Sequence, residues 1–332
     1  MLNISYKKLL SLKEKFRNKR IAVIGDMMLD SYYKGKVSRI SPEAPVPVVE
    51  VDNEFSRFGG ALNVAYNILT LGGTPLPIGI IGNDAEGKLL KKLMRDTGIT
   101  DEAIFIDKSR PTTSKTRVIA HSQQVVRVDK ESTAPLSKSM EKKIIDYLKH
   151  DFSNIDAIIL QDYNKGVLTR NLIKEVISKA NEENKIITVD PKFNNFFEYK
   201  NVTVFKPNRK ETEDALSMKL QSDDDISKAG EKLLHNLNAR YILLTLGEAG
   251  IALFEKGKPE KRVPTKARKV ADVSGAGDTV ISTITIALAA GVDIYNAAYL
   301  ANYAGGIVCQ EVGIVPINID DLINAVKEEL KK

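Results

Sequence analysis

Short, almost uninterrupted apolar runs alternate along this chain with segments of helical period, and no other feature constrains the fold as strongly. Runs rich in β-branched residues lie at 21–25 (IAVIG), 77–82 (PIGIIG), 157–161 (AIILQ), 186–190 (IITVD), 202–205 (VTVF) and 241–246 (YILLTL). Between many of them, 61–71, 85–97, 137–150, 169–181 and 223–238 carry amphipathic helical patterns. A strand that is apolar on both faces must be covered on both, and strands separated by helices pair in parallel. The expected architecture is therefore α/β, a doubly wound, mostly parallel sheet. Past residue 275 the pattern becomes helical, at about 276–290, 293–311 and 319–331.

Two stretches break this rhythm. Residues 31–52 contain Pro42, Pro45 and Pro47, which exclude a helix interior and favour an exposed or edge strand. Residues 112–128 alternate polar with β-branched side chains. Together they predict a small β lid attached at the strand ends of the main sheet, where α/β folds bind ligands. No repeat or long linker divides residues 1–332, which read as one domain.

Composition narrows the function classes. The formal charge of +6 is spread along the chain and suits an anionic small substrate as well as nucleic acid. No recognised nucleic-acid-binding motif accompanies it. The single cysteine, Cys309, excludes an intramolecular disulfide framework, and the three histidines have no metal-binding spacing. Neither a signal peptide nor a membrane-length apolar stretch is found, so the expectation is a cytoplasmic protein with no membrane partner. The first strand ends in GDMMLD instead of a dinucleotide fingerprint, and GxxxxGK[ST] is absent, against a dehydrogenase or a P-loop enzyme.

The segment richest in chemistry is DVSGAGDT, residues 272–279, directly before a helix. Gly275 and Gly277 would let the backbone approach an anion, toward which the unpaired amides of the first turn point. Asp278 adds a carboxylate on the same turn. Donors for a charged group beside a base for an attacking hydroxyl are what phosphoryl transfer to an alcohol needs. A glycine turn whose aspartate merely complements the helix dipole explains the same residues. Asn208 and Glu211 likewise form a capping-box pattern that needs no ligand. Asp26, Gly59, Gly60 and Asn63 could be turn and cap residues, and Lys165 a solvated loop lysine. Lys115 and Arg117, two apart, share one strand face, where basic residues commonly discourage edge pairing.

Residues 272–279 resemble the signature of the ribokinase-like (PfkB) carbohydrate kinases. The resemblance spans nearly the whole chain: Gly25-Asp26 after the first strand, GGALNVA from Gly59, DYNKG at 162–166 and PNRKE at 207–211 stand in family order. GDMMLD with 38–48 (SRISPEAPVPV), together with 114–118 (SKTRV), is similar to heptose-phosphate kinases of the lipopolysaccharide precursor pathway. Departures from that pattern include His121 in place of an arginine, and Ser274 for a threonine, which keeps the hydroxyl.

The resemblance implies an ATP- and Mg²⁺-dependent kinase that phosphorylates the anomeric hydroxyl of D-glycero-β-D-manno-heptose 7-phosphate to the 1,7-bisphosphate. A related kinase of another sugar, sugar phosphate or nucleoside is the alternative. Asp278 would be the base, and Gly275, Ala276 and Gly277 the anion hole. Asp26, Asp30, Gly59, Gly60 and Asn63 would hold the sugar, with Arg39, Lys115, Arg117 and Lys165 toward its phosphate. Asn208, Glu211, Thr245, Gly247, Gly250 and Asn302 would bind the nucleotide, Glu211 reaching the metal through water. A monovalent cation beside the GAGD loop and a homodimer joined through the lid belong to the same expectation. The chain runs about fifty residues beyond Asp278 and lacks an HxGH motif, from which one activity is expected, with no step to a nucleotide-sugar.

Overall fold

The computed structural model describes residues 6–121, 123–265, 272–311 and 313–330. The chain opens with α1 (Tyr6–Arg17), β1 (Arg20–Gly25), β2 (Met27–Ile40), β3 (Pro47–Gly60), α2 (Ala61–Thr70), β4 (Thr74–Ile81), α3 (Ala85–Thr97) and β5 (Ile104–Ile106). It continues through β6 (Thr113–Ala120), β7 (Gln123–Lys130), α4 (Lys138–Asp151), β8 (Ala157–Gln161), α5 (Arg170–Glu182), β9 (Ile186–Asp190) and β10 (Val204–Phe205). After these come α6 (Arg209–Leu216), α7 (Asp223–Leu237), β11 (Tyr241–Thr245), β12 (Ile251–Glu255), β13 (Lys261–Val263), α8 (Ala276–Ala289), α9 (Ile294–Val308) and α10 (Ile319–Leu330).

Nine strands form the main sheet in the order β13-β12-β11-β10-β9-β8-β1-β4-β5. It is parallel from β11 to β5, while β12 and β13 add on antiparallel. Alternate residues of β1 show why its run is apolar throughout. Ile21 and Val23 join the core made with α1, α2 and α8–α10, whereas Ala22 and Ile24 join the opposite core under α4, α5 and α7.

Most predicted elements are found within a residue or two, although the run at 202–205 shortens to the two-residue β10. Lys331, the last residue of the predicted 319–331 helix, lies outside the described residues. β4 begins earlier than expected, at Thr74, in spite of Pro75 and Pro77. The Gly79 amide donates toward Ala103, so odd-numbered residues of β4 turn their amides to the β5 side. β5 pairs only with Gly79–Ile81. The prolines therefore face a stretch without a neighbouring strand and leave no ladder bond unmade.

The lid is larger than the 31–52 and 112–128 segments expected of it. β2 and β3 pair from Met27↔Gly60 out to Ile40↔Pro47, and β6 and β7 complete a four-stranded sheet ordered β3-β2-β6-β7. Ser122, between the last two strands, lies outside the described residues. Register places Arg57, Asp30, Lys115 and Asp129 in one row across this sheet. Phe55, Tyr32, Arg117 and Arg127 occupy the next row of the same face. Tyr32 and Phe55 stack with ring centroids 4.9 Å apart, and the Arg117 and Arg57 guanidinium groups lie 5.2 Å from the two rings respectively. No helix among the described residues is long and apolar enough to cross a membrane.

Candidate active site

Everything with chemical potential gathers at the carboxyl edge of the parallel strands, where α8 meets them. Gly275 caps α8 at φ 81°, and no side chain caps the helix. The turn stays open on the cavity side: Gly275, Ala276, Gly277 and Asp278 line a cavity of about 960 Å³. The Ala276 amide closes a turn onto the Val273 carbonyl at 3.2 Å, so of the expected anion donors this one is already engaged.

Asp278 is 5% exposed and held by three side chains from distant elements. Asn63 donates to Oδ2 at 2.7 Å, while Gln161 and the Tyr163 hydroxyl donate to Oδ1 at 3.1 and 2.8 Å. Burial pushes its pKa up to about 6, against the hydrogen bond from Asn63; Asp190 raises it further, and Tyr163 and Lys206 lower it. A carboxylate titrating near neutrality and fixed in orientation is suited to general-base work.

The nucleotide-side expectation is brought together in the same cavity. Asn208, Glu211, Thr245, Gly247, Gly250 and Asn302 all line it. Asn208 and Glu211 make the full capping box of α6, so the structural role expected of this pair is present. Glu211 Oε2 accepts from the Asn208 amide at 2.8 Å, and Oε1 is paired with Lys192. The Asn302 amide donates to the Pro264 carbonyl at 2.7 Å. Gly250 stands at φ 84°, where a Cβ would come within 2.1 Å of the Val263 carbonyl oxygen.

The sugar-side residues lie on the other flank of Asp278. Asn63 reaches the base itself. Asp30 is 3% exposed, and its Oδ2 lies where a Cβ on Gly59 would touch it, at 2.4 Å. Gly60, at φ 56°, has its Cβ position 2.3 Å from the Asp26 carbonyl, which leaves room for no other residue. Asp26 already has partners within the protein. Its carboxylate is buried and takes the backbone amides of Tyr163 (2.8 Å), Lys165 (3.1 Å) and Val167 (3.2 Å). It therefore shapes the 162–166 loop. Burial, with Asp162 nearby, still raises its pKa to about 6.

Three of the four cations expected at the sugar phosphate, Lys115, Arg117 and Lys165, come together around Asp30 and Glu131, and Arg39 stands apart. Lys115 pairs with Asp129 and Glu131, Lys165 with Glu131, and Arg117 with Asp30. Arg39 is exposed at the outer end of the β2–β3 hairpin. At about 3.3 Å per residue it lies roughly 30 Å along the strand from Asp30. Arg57 was not singled out in the sequence, yet it faces the site. It donates to the Ile314 carbonyl at 2.5 Å, and Ile314 packs 3.3 Å from the Cβ position of Gly275.

Sequence reasoning also missed Gln161, Tyr163, Asp190, Lys192 and Lys206. Lys206 is 2% exposed and its Nζ is 3.0 Å from Asp190; a Cβ on Gly277 would lie 3.6 and 3.7 Å from these two groups. All five end or directly follow β8, β9 or β10. That position at a sheet's carboxyl edge was the available signal. Among the described residues no three His, Cys, Asp or Glu side chains form a metal-binding cluster. Glu211 as a lone carboxylate fits a magnesium ion that keeps its waters, provided Lys192 yields Oε1.

Comparison with known proteins places the chain in a family and a fold. The chain is 42% identical over 307 residues to the bifunctional protein HldE of Desulfatibacillum aliphaticivorans, covering 92% of this chain and 63% of that protein. It is also 42% identical over 304 residues to HldE of Helicobacter pylori strain ATCC 700392 / 26695, covering 92% and 66%. It thus spans a little under two thirds of the length of these relatives. Among solved structures, Arabidopsis thaliana ribokinase complexed with ribose and ATP superposes with a TM-score of 0.73 at 19% identity, covering 93% of this chain and 98% of that one. Phosphofructokinase-2 from Escherichia coli in complex with substrates and products gives 0.77 at 19%, covering 95% and 100%. These two share the fold. Residues 18–320 match the pfkB family carbohydrate kinase pattern, and the chain belongs to that family.

Proposed function

We propose that the protein is an ATP-dependent kinase of D-glycero-β-D-manno-heptose 7-phosphate, acting as one domain in the cytoplasm. The observation that carries the reading is one cavity in which the uncapped GAGD turn, the buried Asp278 and the nucleotide-side residues meet. The resemblance of GDMMLD and 38–48 to heptose-phosphate kinases favours the heptose.

Asp278 removes the proton of the anomeric hydroxyl as that oxygen attacks the γ-phosphorus. One P–O bond forms at the anomeric oxygen, and the bond to the β-phosphate oxygen breaks. ADP and the 1,7-bisphosphate leave, and Asp278 returns its proton to solvent. The Gly275–Gly277 turn receives the charge of the transferring group. Glu211 would hold magnesium through water, and the ion would supply charge neutralisation at the phosphates. Asp30, Gly59, Gly60 and Asn63 flank the sugar.

The lid face carrying Arg57, Lys115, Arg117 and Arg127 against Asp30 and Asp129 is net cationic and meets the substrate's own phosphate. Its opposite face carries Val118, Val126 and Val128, of which the last two are 48% and 57% exposed. A second copy of the chain covering this face makes a homodimer. A monovalent cation near Asp272, whose carboxylate accepts the Ser274 and Gly313 amides, belongs to the same proposal. Phosphofructokinase-2 from Escherichia coli has been solved in complex with potassium.

The test is ATP consumption over a panel of phosphorylated and unphosphorylated sugars and nucleosides, with product masses measured. Turnover of the heptose 7-phosphate well above the rest, with a mass gain of one phosphoryl group, is expected. A preference for an unphosphorylated sugar or a nucleoside overturns the substrate assignment.

A further inference from the structure

We propose that Lys192 is a mobile catalytic cation that leaves Glu211 and takes hold of the phosphoryl group being transferred; this rests on the kinase reading above. Lys192 stands two residues past Asp190 at the end of β9 and lines the cavity. It lies between the two functional ends of the site. On one side its Nζ pairs with Glu211 Oε1, and on the other it sits 5.5 Å from the centre of the Tyr163 ring. The hydroxyl of that same tyrosine donates to Asp278 at 2.8 Å.

The other cations of the cavity are committed elsewhere. Lys206 has a side chain only 3% exposed and is pinned by Asp190 under the GAGD turn. Lys210 points to solvent, 83% exposed and paired with Asp214, and Arg209 donates to the Leu220 carbonyl. The Lys192 side chain is 32% exposed on a flexible four-carbon stem, and Glu211 is its ion-pair partner.

Charge balance drives the move. Glu211 has one oxygen fixed by the Asn208 amide, so only Oε1 serves a second cation. Glu211 would hold a magnesium–nucleotide complex on the Oε1 side, and the added positive charge there would repel the Lys192 ammonium. The γ-phosphoryl group then offers the strongest anionic partner within reach, and an ammonium there strengthens as charge builds in the transition state.

Lys192→Met and Lys192→Arg in the full chain test this, with melting curves confirming folded protein. Calorimetry with magnesium-ADP and with the magnesium complex of β,γ-imido-ATP needs no sugar. We expect Lys192→Met to lose about tenfold in affinity for the triphosphate analogue and nothing for ADP. Turnover should fall about a hundredfold with the sugar-phosphate KM within about threefold, and Lys192→Arg should recover part of both losses. Equal weakening toward ADP and the triphosphate would show a structural role and overturn the proposal, as would turnover within about threefold of wild type. Wild-type protein inert toward every sugar phosphate would sink the kinase reading instead, and the binding comparison still judges Lys192 separately.

Discussion

Asp278 owes its character to residues that no local pattern connects. Its burial and the nearby Asp190 raise its pKa to about 6, while donors from α2, β8 and the loop after β8 steady the charged form. Only the ionised carboxylate accepts the proton, so kcat/KM should rise with pH through about 6 and level off above it. Asp278→Asn should lower kcat by about two orders of magnitude or more with ATP and sugar binding retained; near-normal turnover in a folded variant would remove the base assignment. Tyr163→Phe deletes a donor to the carboxylate, which disfavours the charged form, so the acid limb should move to higher pH. A limb that stays in place or moves down would show that this hydroxyl does not tune the base. The glycine turn and its aspartate were legible in sequence because their chemistry sits in consecutive positions. Gln161, Asp190 and Lys206 were not, since each is a single polar residue at the end of a different strand. Only the order β10-β9-β8 brings them under the same helix.

At the scale of elements, the lid shows where reading by pattern fails. The prolines at 42, 45 and 47 excluded a helix interior, yet the strands run on to Gly60, because an alternating half-exposed strand and a loop of mixed polarity look alike in sequence. Pairing also changed what the lid's cations mean. Lys115 and Arg117 share a face as expected, but cross-strand carboxylates neutralise them. Lys115→Ala with Arg117→Ala should still weaken the sugar phosphate more than ATP, and the wild type should show the steeper salt dependence. Equal impairment toward phosphorylated and unphosphorylated sugars would mean that the pair supports lid structure, with Asp30 left buried and unpaired.

For the molecule as a whole, the alternation of apolar strands and helices was enough to indicate the sheet and its two covering layers. What it lacked was the antiparallel edge of β12 and β13, a turn-linked pair with no helical spacer to announce it. The exposed valines on the outer lid face predict a homodimer, measurable by light scattering, that charges introduced at Val126 and Val128 dissociate. A monomer at high concentration, or a dimer indifferent to those charges, would contradict it. The account as a whole stands on phosphoryl transfer to one hydroxyl of one sugar phosphate. Phosphorus NMR of the product from ATP and D-glycero-β-D-manno-heptose 7-phosphate tests that most directly. A second phosphate resonance coupled to the anomeric proton is expected, with ADP formed in equal amount. A phosphate coupled to any other ring proton, or ADP formed without a new sugar-phosphate resonance, would contradict it.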